Sequence, residues 1–397
     1  MSGNGPRSYA AAAASSGRPG TAPSAAPSGI YVHLPYCASR CAYCAFVVTT
    51  DDSSRGAYFD ALEREAALLS EEARAAEFDS IYLGGGTPSL APPDAIARLV
   101  RSLRGRFAIL DDCETTIEAN PEDVSPGALS AWSAAGVNRV SLGVQSLRDT
   151  ELEAVGRRHD AARARAAVAD AAASGLSVSA DLILGLPEQT ADTFAETAEE
   201  LAASGVGHVS VYLLEIEKSP ALEADRARRP ERYLADDAQA DSWMALSGAL
   251  DGLGFEHYEI SNWARPGRRA RHNVKYWTRT DTLGLGVSAH ELWRGRRRAN
   301  VSRIEDYLAR TGTGRRPLAL DRPVSRDEAA RERVFLGLRL VEGVLEEWLE
   351  PFLSADSKLR EDYAAWREAG ILAERGGRVR LTERGFLVSN EVLSRFV

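Results

Sequence analysis

YVHLPYCASRCAYCAF, residues 31–46, places three cysteines just past a short apolar run. Cys37, Cys41 and Cys44 are spaced C-x3-C-x2-C, and Cys113 is the only other cysteine in the chain. A secreted disulfide framework would spread an even set along the sequence. A cluster of three therefore reads as a reduced, cytosolic protein whose thiols bind something. A closed zinc site wants four ligands, commonly two C-x2-C pairs. There is no second pair here, so His33 or Cys113 would have to complete such a site. A 4Fe–4S cluster fits the spacing better, because three thiolates hold three irons and leave the fourth open to an outside ligand. Zinc stays as the alternative. Cys113 alone reads as a small buried hydrophobe at a strand start.

The run before the cysteines, Ile30–Leu34, is β-rich. Similar runs follow at Ser80–Leu83, Thr115–Glu118, Arg139–Val144, Ser177–Leu184 and His208–Leu214, with helix-like stretches between them. Ser125-Pro126 puts an N-cap before a proline at the first helical position, and Gly136 ends that stretch. Asp160 opens a helix that Gly175 closes, and Thr190 opens one that Gly205 closes. Repeated strand–helix alternation implies parallel strands with crossover helices, hence an α/β barrel or part of one. In such folds the chemistry gathers at the carboxyl ends of the strands. Each strand here runs into a polar or glycine-rich turn: HLPYC, GGGTP, EANPED, GVQS, DLILGLP and LLEIE. In GGGTP, Gly84, Gly85 and Gly86 let the backbone approach a ligand as a Cβ would not; a tight βα turn is the plainer reading. Glu118, Gln145, Arg157 and Asp181 recur at or beyond successive strand ends. Singly each reads as a solvated loop residue; together they read as the lining of a barrel mouth.

Composition bounds the rest. At 397 residues the chain holds two or three domains, or a large barrel plus a module. With 44% hydrophobic and 26% charged residues it is an ordinary globular sequence. No apolar run reaches roughly 18 residues, so no integral membrane segment is expected. A net charge of −9 argues against nucleic acid as a partner. Residues 1–28, rich in Ala, Ser, Gly and Pro and without an acid, read as a disordered tail, with a transit peptide as the competing reading. The barrel is expected over 29–255 and includes a long helix over roughly Tyr233–Leu250. An extension over 256–325 is dense in aromatics and arginine from Tyr258 to Trp293. Residues 326–397 read as a small helical module with a wing at GGRVRLTERG, 376–385.

C-x3-C-x2-C at the end of the first strand of an α/β barrel resembles the radical S-adenosylmethionine (radical SAM) superfamily. The resemblance implies a partial (β/α)6 TIM-like barrel with Cys37, Cys41 and Cys44 on a 4Fe–4S cluster. The open iron would be chelated by the methionyl amino and carboxylate groups of S-adenosylmethionine, and the reduced cluster would cleave the sulfonium to methionine and a 5′-deoxyadenosyl radical. In that chemistry the protein sets geometry and excludes water. By the same resemblance Tyr31, Tyr43, Gly85, Gly86, Thr87, Glu118, Gln145, Arg157 and Asp181 surround the adenosyl ligand. Tyr43 would lie near the adenine and GGGTP near the methionine amino group.

YVHLPYC, YLGGGTPS, TIEANPE, RVSLGVQS, the LPEQT turn and RHNVKYW are together similar to one branch of that superfamily. It holds the oxygen-independent coproporphyrinogen III dehydrogenases (HemN) and the HemW haem chaperones, and it implies a C-terminal HemN-type domain. Phe46 stands where the dehydrogenases carry a fourth cysteine, and a low-complexity tail replaces their folded segment before the first strand. HNVKYW reproduces the HNxxYW stretch associated with haem in the HemW group. His272 is then the expected haem contact, with Tyr276 and Trp277 as flat apolar surface. A barrel-closing segment with a satisfied histidine is the other reading. Arg265, Arg268, Arg269, Arg271 and the Arg294–Arg298 cluster are candidates to pair with haem propionates, or else form a solvated face. The expected function is a cytoplasmic haem chaperone that binds a 4Fe–4S cluster, S-adenosylmethionine and haem and hands haem to acceptor apoproteins, respiratory ones among the candidates. No catalytic residue is assigned. The alternative is oxidative decarboxylation of coproporphyrinogen III in porphyrin biosynthesis, and a third reading makes the cluster purely structural. Cleavage of S-adenosylmethionine and homodimerisation stay open.

Overall fold

The computed structural model describes residues 26–397. The tail expected over 1–28 lies outside the described residues as far as residue 25, and Ser28 already belongs to the first strand. Six parallel strands form the frame: β1 Ser28–Leu34, β2 Glu77–Gly85, β3 Ala108–Ala119, β4 Arg139–Gln145, β5 Ser177–Leu184 and β6 His208–Leu213. Helices follow each of the first five, and their starts carry the caps the sequence predicts. Ser125 Oγ accepts from the Ala128 N–H, Asp160 Oδ1 from Arg163 and Thr190 Oγ1 from Thr193. Gly136, Gly175 and Gly205 follow those helices at positive φ.

Alternation along the strands explains why the barrel has a lumen. Val140, Leu142 and Val144 of β4, Val178, Ala180 and Leu182 of β5, and Val209 and Val211 of β6 share one apolar core with helix residues such as Leu129, Val168 and Leu201. Each such burial is worth roughly 1.5–3 kcal/mol. The intervening Ser141, Ser179, Asp181, His208, Ser210 and Tyr212 line a cavity on the opposite face. A parallel strand buried on both faces would be apolar throughout. Here one face is polar, and it encloses space for a ligand.

One expected boundary shifts. The helix expected over Tyr233–Leu250 runs Asp236–Gly252. Tyr233 follows a 3-10 turn, its hydroxyl donating to Asp225 at 2.9 Å, while Asp236 and Asp237 suit the positive end of the helix. The extension over 256–325 adds six further strands: β7 Glu256–Glu259, β8 Asn262–Ala264, β9 Thr282–Leu285, β10 His290–Trp293, β11 Arg296–Asn300 and β12 Leu318–Pro323. The sheet order is β12-β11-β10-β9-β1-β2-β3-β4-β5-β6-β8-β7. β9 joins β1 in parallel and β8 joins β6 antiparallel, so the additions continue both edges and the barrel stays open.

The helix Arg271–Trp277 closes the lower end, where the strands begin. The backbone N–H groups of Arg271 and His272 donate to the Glu114 carboxylate at 3.2 Å, and Lys275 Nζ reaches Asp79 and the Pro27 carbonyl at 2.6 Å. Beyond the barrel, three short strands, β13 Val344–Leu345, β14 Leu372–Arg375 and β15 Arg378–Leu381, form a second sheet in the order β13-β15-β14. The β14–β15 hairpin is the wing, turned through Gly376 and Gly377, both at positive φ. This module docks on the barrel through Ile260 N–H to Arg339 O and Val341 N–H to Tyr258 O, both 3.1 Å.

Candidate functional site

The cysteines sit on a loop fixed by backbone hydrogen bonds. Cys37 N–H donates to Thr49 O at 2.9 Å, and Ala42 N–H to Val155 O at 3.1 Å. The GGGTP turn of β2 clamps the same loop, with the Gly86 and Thr87 N–H groups donating to Leu34 O and Tyr36 O at 2.8 and 2.9 Å. Only glycine allows this approach. A Cβ on Gly86 would stand 2.7–2.8 Å from Pro35 C, Leu34 O and Tyr36 O. Gly85, at φ +111°, leaves the His33 ring the space its Cβ would take.

Cys37, Cys41 and Cys44 open on one cavity of about 390 Å³, which Tyr43, Gly85, Gly86, Thr87, Glu118, Gln145, Arg157 and Asp181 also line. All four cysteines of the chain are free. Thr87 Oγ1 donates to Cys37 Sγ at 3.4 Å, and burial pushes the Cys37 thiol pKa up against that bond. Arg157 Nη1 lies 3.7 Å from Cys41 Sγ and 3.4 Å from the Tyr43 hydroxyl. Its Nη2 is anchored by Gly143 O and Asn120 Oδ1, each at 2.8 Å. Asn120, which the sequence did not single out, also reaches Thr87 Oγ1 at 3.4 Å, and its only signal was its place in the EANPED turn.

The donor set suits a polynuclear cluster. Among the described residues no three His, Cys, Asp or Glu side chains close on a point that would hold one metal ion. His33 is occupied, with Nε2 on Val47 O and Nδ1 on the Tyr31 hydroxyl, both 3.0 Å, and Cys113 is buried at 0% exposure and lines none of this cavity. Neither stands ready to complete a zinc tetrahedron. Three thiols around a common cavity, with no fourth cysteine or free histidine beside them among the described residues, fit a cubane that leaves one iron open.

Acidic groups line the wall. Glu118 accepts from the Tyr82 hydroxyl at 2.8 Å and the Gly85 N–H at 3.0 Å; burial raises its pKa to about 7, with Asp181 adding to the shift. Asp181 accepts from Ser141 Oγ at 3.1 Å, and burial raises its pKa as well. Gln145 faces the cavity from φ +65°, a conformation that costs a non-glycine residue of order 1–3 kcal/mol. Phe46 at 67% exposure, with Tyr212 and Leu213, makes an apolar lip.

Tyr31 and His272 are not among the residues lining this cavity. His272 is 1% exposed, its Nδ1 lies 3.0 Å from Ser80 Oγ and its Nε2 3.0 Å from the Tyr276 hydroxyl, and its ring stacks on Tyr82 at 5.3 Å. Burial, with Lys275 adding, lowers its pKa to about 3, so the imidazole is neutral. Both ring nitrogens have partners in this geometry, the arrangement of the satisfied-histidine reading, and Tyr276 has to turn away before His272 can offer Nε2 to an iron. Most of the arginine patch is engaged within the chain. Arg265 donates to the Val206, Leu253 and Ala202 carbonyls. Arg269 pairs with Glu256 and Glu342, and Arg271 with Asp112. Arg296 pairs with Asp321, Arg297 with Glu332, and Arg298 with Glu72, Glu291 and Asp321. Arg268 and Arg294 form no ion pair among the described residues.

Comparison with known proteins gives the family and the fold. Residues 31–201 match the Radical SAM superfamily and residues 324–388 the HemN C-terminal domain. The chain is 35% identical over 382 residues to the heme chaperone HemW of Mycobacterium tuberculosis, covering 94% of this chain and 96% of that one. It is 30% identical over 375 residues to the Lactococcus lactis heme chaperone HemW, covering 94% and 97%. It is 34% identical over 395 residues to the mitochondrial radical S-adenosyl methionine domain-containing protein 1 of Bos taurus, covering 94% and 86%. The solved coproporphyrinogen III oxidase (HemN) of Escherichia coli superposes with a TM-score of 0.80 at 24% identity, over 93% of this chain and 90% of that one, and shares the fold.

Proposed function

Because the chain belongs to the HemW family of haem chaperones within the radical SAM superfamily, we propose that it binds a 4Fe–4S cluster, S-adenosylmethionine and haem, and passes haem to acceptor apoproteins. The observation that carries the reading is the cavity where three free thiols, the Gly85–Thr87 turn and Glu118 meet. Cys37, Cys41 and Cys44 are the residues to hold the cluster, which when bound supplies an open iron and a low-potential electron. Arg157 sets a positive charge beside Cys41 and offsets thiolate charge. Gly85 and Gly86 give a methionine end close access to backbone, and Thr87, Tyr43, Gln145, Glu118 and Asp181 supply stacking and hydrogen-bonding groups for a nucleoside. Tyr31 acts from behind, through His33.

Haem is proposed at the helix Arg271–Trp277 with His272 as ligand. Tyr276 is 37% exposed, so it has room to turn away and free Nε2, and the neutral ring then offers a lone pair to iron. The acceptors are haem-requiring apoproteins, and the setting is the cytoplasm. No helix among the described residues is long and apolar enough to cross a membrane. Reconstituted anaerobically, the protein should retain haem through gel filtration and yield it to an apocytochrome. It should form no protoporphyrinogen from coproporphyrinogen III with S-adenosylmethionine and a low-potential reductant. Turnover of that substrate would overturn the reading in favour of decarboxylation.

A further inference from the structure

Arg139 is the first residue of β4 and lies at the floor of the lumen. Its side chain is 4% exposed, yet it lines the same cavity as the cysteines. Among the described residues its guanidinium donates no hydrogen bond, and Nε is buried without a partner. The nearest acid, Glu114, stands 3.9 Å from Nε and is already engaged by the Arg271 and His272 N–H groups. The other neighbours do not answer it either. His208 spends Nδ1 on Ser179 Oγ at 2.7 Å and Nε2 on the Tyr258 hydroxyl at 2.8 Å, and burial holds that ring neutral. Asp181 is held by Ser141.

A buried guanidinium is retained when something pairs with it, because an unpaired buried charge is costly. Here the missing partner belongs on the open side, in a space large enough for a ligand. The planar fork of arginine matches a carboxylate with two parallel hydrogen bonds. The position is also separate from the cysteine end. Arg139 and Gln145 stand at opposite ends of β4, about 20 Å apart at the usual strand rise. The amino-acid end of a ligand at the cysteine loop does not reach it.

We propose that Arg139 is a carboxylate-binding residue of the lower lumen, which holds an acidic group of the ligand that occupies the barrel. A propionate of haem is one source, which rests on the haem-chaperone reading; a free organic acid is the other. The test uses the full chain and two acid/neutral pairs. Glutarate should raise the Tm of the wild type while its diamide at matched ionic strength does not. Arg139→Met should lose that rise, and Arg139→Lys, which keeps the charge, should recover part of it and show that loss is not misfolding. Equal shifts from glutarate and diamide in the wild type, or an undiminished glutarate shift in Arg139→Met, would overturn the proposal. The second pair is haem and its dimethyl ester. The wild type should prefer the free acid by about tenfold, and Arg139→Met should bind both alike. An acid preference that survives in Arg139→Met rules out propionate as the source. A wild type that binds neither porphyrin removes the haem reading, while glutarate still decides the role of Arg139.

Discussion

The Arg157 guanidinium reaches across from the segment after β4 to within 3.7 Å of Cys41 Sγ, joining two stretches of chain 116 residues apart. Its other contacts, to Tyr43, Asn120 and Gly143, leave it one orientation. Positive charge beside a cluster thiolate favours the reduced, more negative state. Arg157→Met should therefore shift the cluster midpoint potential to more negative values and lower the iron retained per chain. Arg157→Lys should restore much of the potential. EPR-monitored redox titration measures both, and a potential unchanged in Arg157→Met would contradict the assigned role.

Gly86 carries the clamp between the GGGTP turn and the cysteine loop. Its Cβ would meet three backbone atoms, none of them the end of a flexible side chain. Gly86→Ala should cost about 1–3 kcal/mol or more and reduce cluster loading. Gly56→Ala, at a helical site with nothing within 4 Å, should be neutral or slightly stabilising. Chemical denaturation with iron analysis on both variants checks this.

Glu118 should make nucleoside binding depend on pH. Burial raises its pKa to about 7, so the carboxylate becomes a full acceptor only above that value. Affinity for S-adenosylmethionine should rise roughly tenfold between about pH 6 and pH 8, and Glu118→Gln should flatten the profile. Stability moves the other way. A carboxyl whose folded pKa is raised contributes stability below its unfolded value, and this is lost as pH rises through about 7. Relative to wild type, Glu118→Gln should gain stability at alkaline pH, by at most about 3 kcal/mol.

The Tyr276 hydroxyl occupies His272 Nε2 at 3.0 Å. Tyr276→Phe should free that nitrogen and strengthen haem binding by about fivefold, the worth of one ordinary hydrogen bond. His272→Ala should abolish the axial-ligand features of the haem spectrum. An unaltered spectrum in His272→Ala would place the ligand elsewhere.

The six barrel strands were legible because each pairs a short apolar alternation with a turn signal, as in RVSLGVQ followed by Ser146. The helix starts at Ser125, Asp160 and Thr190 were legible because capping is local. The strands of 256–325 were not. β11 reads RRRAN, and its charges are balanced by Glu72 and Glu332, distant in sequence, so neither alternation nor turn chemistry announces it. The arginines of this region read alike in sequence, and only the structure separates those held in ion pairs, such as Arg269 and Arg298, from Arg268 and Arg294, which form none among the described residues. In the site, the cysteines and strand-end residues were readable from spacing and position. Asn120 and Arg139 were not, because their roles depend on what stands opposite them across the lumen.

The three-thiolate cluster underlies every other role proposed for this chain. Anaerobic iron and sulfide analysis with EPR, on wild type and single Cys→Ala variants, should give about four irons and four sulfides per chain. Cys37→Ala, Cys41→Ala and Cys44→Ala should lose them and Cys113→Ala should keep them, and the reduced signal should change on adding S-adenosylmethionine. Zinc in place of iron, or a signal indifferent to S-adenosylmethionine, would contradict a three-thiolate cluster with one open iron.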